Sequence, residues 1–250
     1  MTSRTVLVTG GAKRLGATIA RRLADDGHRV VIHYKASGEA AAALAHALGG
    51  VTVSADLSDD AAVAGLIARA RVAADGPIDA LVNSASAFDF DRPPGIEADH
   101  LARMLAINLS APVMLASALA AQDDVADAAI VNLIDQKVAN LNPDFFSYSC
   151  AKVALVGATT MLAQALAPRV RVNAVSPGIT LPSGDQTELE FEQAASRNLL
   201  QRPVGAGRVA DAVAYLLRAR GVTGQNLFVD CGQRFLARDG DVMFEGRARG

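Results

Sequence analysis

The chain reads as an α/β protein built on one doubly wound parallel sheet of about seven strands, with helices on both faces. Three observations predict this. Short β-branched runs alternate with longer Ala- and Leu-rich stretches along the whole sequence, the rhythm of strand–helix–strand units. Those runs are apolar throughout rather than alternating, as strands covered on both faces must be. The first run is separated from the first helical stretch by a glycine-rich turn.

Val6-Leu7-Val8-Thr9 is the first strand, followed by Gly10-Gly11-Ala12-Lys13-Arg14-Leu15-Gly16 and a helix from Ala17 to Asp26. Glycines at such a turn let backbone approach a pyrophosphate, which the free N–H groups of the helix start then hold, as in a Rossmann-type fold. An ordinary glycine-rich turn would carry the same residues. The spacing also departs from the usual dinucleotide fingerprint, since Arg14 stands where a close-approach glycine is commonly found. The second strand, Arg29 to Tyr34, carries His33 and ends in Lys35-Ala36-Ser37. An NAD-binding chain usually places a carboxylate here for the ribose 2′-hydroxyl. Arg14, Lys35 and Ser37 offer positive charge and a donor instead, which suits a 2′-phosphate, so NADP(H) is the expected cofactor.

Gly38 to Leu48 is a helix and Val51 to Ala55 a third strand, which delivers Asp56-Leu57-Ser58 to its C-terminal end. Asp56 suits the adenine amino group, or caps a helix that Ser58 begins. Ala80 to Asn83 is a fourth strand, continued by Ser84-Ala85-Ser86-Ala87-Phe88. Phe88 either stacks on a flat ligand or covers an edge of the core. Glu97 to Ala121 is one long helix in which Pro112 removes the N–H that would bond the Asn108 carbonyl, predicting a kink and a carbonyl free to bind water. Ile130 to Asp135 is a fifth strand and Ser147 opens a further helix. Val170 to Ser176 is a sixth strand ending at Pro177-Gly178. Residues 179–187 have the polar character of a mobile lid. Helices near 189–200 and 209–217 precede the closing strand, Gln225 to Val229. A charged tail, residues 238–250, is expected to fray.

With 250 residues, 51% hydrophobic and 20% charged, the chain can bury a full core, and nothing divides it, so one domain over 1–250 is expected. A net charge of −2 gives no electrostatic case for nucleic acid or an anionic membrane, and 4% aromatic residues offer no base-stacking platform. Residues 104–122 carry no charge, but Asn108, Ser110, Pro112 and Ser117 interrupt them, so a helix packed on the sheet is expected rather than a membrane span. The first strand begins at once, which leaves no room for a signal peptide and points to a cytoplasmic protein. Two distant cysteines, Cys150 and Cys231, are expected as small buried thiols, and no histidine spacing suits a metal.

The chemistry concentrates between the fifth strand and the next helix. Tyr148 and Lys152 lie four apart and share a helix face. A lysine ammonium beside a phenol favours its ionised form, so Lys152 is expected to lower the Tyr148 pKa and let it pass protons near neutral pH. Asp135 sits where the strand ends, the place where open α/β sheets put their chemistry.

The glycine-rich loop, Asn83-x-Ala85, Asn108 within its helix, Tyr148-x-x-x-Lys152, Pro177-Gly178 and Asp230-Cys231-Gly232 together resemble the short-chain dehydrogenase/reductases over nearly the whole chain. The resemblance implies that the Asn108 carbonyl holds a water relaying protons to Lys152, and that the protein is a homotetramer. Asp135 departs from the family's usual serine. An ionised aspartate cannot donate to a ketone oxygen and would repel an alkoxide, so it suits a substrate presenting N–H groups.

Thr9 to Gly16, His33-Tyr34, Ala55 to Ser58, and Ser86 with Phe88 are further similar to the pteridine reductases and bacterial dihydromonapterin reductases. That similarity implies NADPH-dependent reduction of a dihydropterin with transfer of the pro-S hydride. The pterin would lie between Phe88 and the nicotinamide, with Arg14 and Ser86 on its polar edge, Asp135 as acid or anchor, and Tyr148 as proton donor. It implies cofactor contacts from Gly10, Lys13, Arg14, Leu15, His33, Tyr34, Lys35, Ser37, Asp56, Leu57, Asn83, Ser84, Ala85, Tyr148, Lys152, Pro177 and Gly178. The family's second residue of the Asn83 motif is Ser84 here. The competing readings are a carbonyl or alcohol oxidoreductase of the same family and a non-catalytic NADP-binding protein.

Overall fold

The computed structural model describes residues 3–182, 187–237 and 239–241. The seven strands form one parallel sheet: β1 (Thr5–Val8), β2 (Arg29–Tyr34), β3 (Val51–Ser54), β4 (Ala80–Asn83), β5 (Ala128–Leu133), β6 (Val170–Pro177) and β7 (Asn226–Val229). Their order is β3-β2-β1-β4-β5-β6-β7, so the chain winds outward in one direction from β1 and in the other from β4. Between β1 and β4 the connections diverge to opposite faces. A crevice opens there at the C-terminal strand ends.

The apolar runs of the inner strands are buried on both faces. Val6 and Val8 point to one layer with Val30, Ile32 and Val82. Leu7 points to the other with Val31, Leu81 and Ile130. The first layer is closed by α1 (Arg14–Asp25) and α2 (Gly38–Leu48), joined later by α9 (Ala206–Arg218). Ile19 and Leu23 of α1 and Val213 and Leu217 of α9 fill it, and Arg22 Nε bonds Asp211 Oδ1 at 2.7 Å across the two helices. The second layer takes α3 (Asp60–Ala64), α4 (Leu66–Ala74), α5 (Ala98–Leu105), α6 (Ala111–Ala120) and α7 (Phe146–Leu166). The short α8 (Glu188–Ala195) follows β6 and begins in a reciprocal cap between Thr187 and Glu190.

Several boundaries differ from the sequence expectation. The α1 helix begins at Arg14 rather than Ala17, with Lys13 as its extended cap and Arg14 itself in the left-handed region at φ 52°. Ser58 does not start a helix. Asp59 is the cap of α3, its carboxylate accepting from the Ala61 and Ala62 N–H groups. The helix expected from Ser58 begins two residues later and is a pair, α3 and α4, which supplies Val63, Leu66, Ile67 and Ala70 to the core. The helix expected from 97 to 121 is two helices joined by a π turn, Ala106–Ser110, immediately before Pro112. Absorbing one extra residue in a wider turn is how a helix accommodates the missing proline N–H. The expected helix 189–200 stops at Ala195.

Two helical runs, Ala98–Ala120 and Phe146–Leu166, are long and apolar enough to cross a membrane. In this fold each lays a buried face on the sheet layer, with Leu115 and Leu119 on the first and Leu155 and Ala163 on the second. Cys150 is exposed and Cys231 half-buried, against the expectation of two buried thiols. Position 150 lies on the outer face of α7, opposite Tyr148 and Lys152. The tail positions 238 and 242–250, and residues 183–186 of the expected lid, lie outside the described residues.

Candidate active site

The crevice between β1 and β4 is a cleft of about 670 Å³ that runs from the Gly10–Gly16 loop to the N-terminal end of α7. At the loop end, Gly10 takes φ +62°, and a Cβ there would stand 2.9 Å from the Ala85 Cα. A Cβ on Gly16 would stand 2.3 Å from the Gly10 carbonyl oxygen. Only glycine allows this close passage of three backbone segments. Thr9 locks the junction, its Oγ1 accepting from the Ser84 and Ala85 N–H groups at 3.0 Å each. No side chain caps the start of α1, so its N–H groups remain directed at the cleft.

His33 holds the loop from below. Its Nδ1 accepts from the Gly10 N–H at 3.1 Å, and its Nε2 stands 3.1 Å from the Ala55 carbonyl. Together these contacts specify a neutral ring protonated on Nε2. Burial lowers the His33 pKa to about 4, so the ring stays neutral in neutral solution.

Lys13, Arg14, Leu15, Lys35, Asp56, Leu57, Ser84 and Ala85 also line the cleft. Lys35 and Asp56 pair at 2.6 Å, and that contact together with the Ser58 N–H lowers the Asp56 carboxyl pKa to about 2. Among the described residues Arg14 pairs with no carboxylate; its Nη2 donates to the Pro182 carbonyl at 2.6 Å across the cleft mouth. Pro177 and Gly178 form the opposite wall, where Gln233 Oε1 accepts from the Ile179 N–H at 3.1 Å.

Four residues expected at the site do not line the cleft. Tyr34, the last residue of β2, and Ser37, at the start of α2, lie outside it. Asn83 turns inward: its Nδ2 donates to Asn132 Oδ1 at 2.8 Å, and Asn132 Nδ2 donates to Thr159 Oγ1 at 2.9 Å. This buried chain ties β4 and β5 to α7, so Asn83 helps set the height of the helix that carries Tyr148. Asn108, fully buried in the π turn, accepts from Ser86 Oγ at 2.7 Å and donates to the Ala87 and Met104 carbonyls at 3.0 Å each. It shapes the loop 86–88 from behind.

At the α7 end, Asp91 caps the helix by accepting from the Ser147 N–H at 3.1 and 3.2 Å and from the Ser147 hydroxyl. Tyr148 and Lys152 then face the cleft together. Tyr148 Oη donates to Asp135 Oδ2 at 2.9 Å, and Lys152 Nζ donates to the Leu133 carbonyl at 2.8 Å. The lysine ammonium stands 5.5 Å from the centre of the tyrosine ring.

The electrostatics correct one expectation. Lys152 does not lower the Tyr148 pKa in this arrangement; burial, then the Asp135 charge, raise it well above the ordinary phenol value. Burial likewise raises the Asp135 pKa, against the opposing effects of the Lys137 N–H, Tyr148 and the Lys137 charge. The Lys152 pKa falls to about 8, because burial outweighs the attraction of Asp135. The result is a protonated phenol hydrogen-bonded to a carboxyl group whose own pKa burial raises.

Phe88 is 38% exposed and stacks on Phe145 with ring centres 4.0 Å apart, while meeting Tyr148 edge-on at 4.8 Å. Phe145, the left-handed cap residue of α7 at φ 53°, backs Phe88 from behind the cleft wall, a support that sequence reading missed. Its apolar neighbour Phe146 disguises it, since either ring could be the one turned inward. Lys137 and Asp241 were also missed and line the same end.

Comparison with known proteins places this arrangement. Residues 10–234 match the family model described as enoyl-(acyl carrier protein) reductase. A dihydromonapterin reductase of Citrobacter koseri is 30% identical over 237 residues, covering 91% of this chain and 95% of that protein. An uncharacterised oxidoreductase of Methylorubrum extorquens is 33% identical over 244 residues, covering 92% and 98%. The crystal structure of FolM alternative dihydrofolate reductase 1 from Brucella canis, complexed with NADP, superimposes with a TM-score of 0.89 at 41% identity, covering 94% of this chain and 95% of that one. The glycine-lined loop at the switch point, the Tyr148–Lys152 pair and these matches lead to one conclusion: the chain belongs to the short-chain dehydrogenase/reductase family of oxidoreductases.

Proposed function

We propose that this protein is an NADPH-dependent pteridine reductase that converts a dihydropterin to the tetrahydropterin. The observation that carries the reading is the hydrogen bond from Tyr148 to Asp135 at the end of β5. A carboxyl group beside the proton donor suits a substrate edge rich in N–H groups; a ketone oxygen needs donors around it instead. The names of the Citrobacter koseri reductase and of the Brucella canis FolM enzyme support the same substrate class.

The loop end of the cleft fits NADP(H). Gly10 and Gly16 leave the space a Cβ would fill, the start of α1 is uncapped, and Lys13, Arg14 and Lys35 bring positive charge where no carboxylate follows β2. In this reading the α1 N–H groups and Gly10 hold the pyrophosphate with Arg14 beside it, Lys35 the 2′-phosphate, Asp56 and Leu57 the adenine, and Lys152 the nicotinamide ribose. The bound cofactor supplies the hydride.

The chain's own residues manage the proton. Tyr148 stays protonated until the substrate nitrogen gains basicity, then passes its proton to that nitrogen. Lys152 stabilises the phenolate left behind, and Asp135 returns a proton to Tyr148. Phe88, backed by Phe145, forms an aromatic wall for the pterin, and Ser86 and Arg14 meet its polar edge. A homotetramer acting in the cytoplasm belongs to the same reading.

The test is NADPH oxidation by purified protein offered dihydrobiopterin, dihydromonapterin and dihydrofolate beside simple ketones. Turnover confined to the pterins is expected. Turnover of ketones alone would sink the pterin reading.

A further inference from the structure

Lys137 is the least expected side chain in the cleft wall. It follows Asp135 by two residues on the short 3₁₀ turn Gln136–Ala139. Its side chain is only 4% exposed, and its ammonium stands 5.1 Å from the centre of the Phe145 ring. Burying an ammonium is costly unless an anion accompanies it. That anion comes from a hundred residues along the chain: Asp241 Oδ2 accepts from Lys137 Nζ at 2.8 Å.

Asp241 is itself held in place. Its backbone N–H donates to Asp144 Oδ2 at 2.7 Å, and the other Asp144 oxygen pairs with Arg92 at 2.5 Å. The segment leading toward it is tied down as well, because Asn140 Nδ2 donates to the Leu236 carbonyl at 2.8 Å. The Lys137 backbone N–H meanwhile donates to Asp135 Oδ1 at 2.8 Å. Asp135 thus has one oxygen on Tyr148 and the other on the Lys137 backbone, beside the buried Lys137 charge and the part-buried Asp241 charge of opposite sign.

We propose that Lys137 and Asp241 are positioning residues for the Asp135–Tyr148 pair: the Lys137 ammonium draws Asp135 toward its carboxylate form, and Asp241, delivered by the C-terminal segment, offsets that pull so that the pair retains the proton the reaction consumes. The link to turnover rests on the reductase reading above; the charge arrangement does not. The other groups facing Asp135 leave this role open. Tyr148 and Lys152 from α7 are already engaged, with Asp135 and the Leu133 carbonyl respectively. Asp144 is spoken for by Arg92 and the Asp241 N–H, and Arg103 of α5 pairs with Asp89.

The test is carboxyl ¹³C NMR titration of aspartate-labelled protein, with the Asp135 signal assigned by difference from Asp135→Asn. Asp241→Asn should lower the Asp135 midpoint by about one unit, since Lys137 is then unopposed. Lys137→Met, which keeps an apolar stem over Phe145, should raise it by a similar amount. A purely structural latch would move neither. Unchanged midpoints, or shifts of the same sign in both variants, would overturn the proposal. Should Asp241→Asn fail to fold, Lys137→Met decides alone: a raised midpoint supports the proposal and any other result overturns it. Failure of the wild-type protein to reduce pterins would remove the functional reading and leave the titration result standing.

Discussion

Tyr148 donates its phenolic hydrogen to Asp135 across 2.9 Å, joining the start of α7 to the end of β5. The geometry holds the phenol in its acid form, because both burial and the neighbouring carboxyl group oppose ionisation. A reductase needs that form ready when the hydride arrives.

Removing the phenolic hydroxyl should therefore remove the proton donor and little else. Tyr148→Phe is expected to lower kcat by about 10²–10⁴-fold, the usual range for a lost general acid. Steady-state NADPH oxidation measures it, and near-normal turnover would refute the assignment. The same change leaves Asp135 short of one donor, so a loss of about 1 kcal/mol in stability should accompany it.

Asp135→Asn should lower the Tyr148 pKa, since the charge that opposes the phenolate is gone. The chain has three tyrosines and no tryptophan, so ultraviolet phenolate titration against Tyr148→Phe isolates the residue. A Tyr148 midpoint equal to or above the wild-type value would contradict the coupling.

Lys152 titrates near 8, depressed by its burial. Below that value the ammonium can stabilise the Tyr148 phenolate; above it the charge is lost. Turnover is expected to fall on an alkaline limb with a midpoint near 8. In Lys152→Met the limb should vanish along with most of the activity, as kcat against pH would reveal.

The neutral His33 ring makes stability depend on pH. Its folded pKa of about 4 lies below the unfolded value of 6.5, so the unfolded chain takes up the proton first as pH falls. This contribution is complete above about 6.5 and is lost toward 4. Asp79, raised by burial to about 6, acts the opposite way: its contribution is complete below 3.8 and lost as pH rises through 6. The comparison that isolates His33 is denaturant unfolding of wild type and His33→Gln at pH 7 and pH 5. Wild type should lose about 2 kcal/mol more than the variant across that interval.

Gly10→Ala places a Cβ 2.9 Å from the Ala85 backbone on a residue at φ +62°. A loss of about 1–2 kcal/mol in stability is expected, with NADPH affinity falling more steeply than pterin affinity because the clash lies at the loop end of the cleft. Thermal melts and separate ligand titrations check both.

The sequence by itself determined the sheet, the winding and the line of the site. Seven apolar runs with the right spacing are buried by a sheet with helices on both faces, and the glycine-rich turn after the first run marks where its crevice must open. Tyr148 and Lys152 were legible because one helical turn puts them on one face, and Asp135 because it ends a strand.

Only the tertiary structure decided which polar groups meet. Asn83 and Asn132 lie 49 positions apart, and Lys137 and Asp241 lie 104 apart. No local periodicity encodes such pairs. The sign of the Tyr148 shift was likewise beyond the sequence, which shows the lysine four residues away but not the depth of burial. That depth made desolvation and Asp135, rather than Lys152, the controlling influences. Local spacing sets what a residue can reach; burial, which only the packed chain defines, sets how strongly each charge is felt.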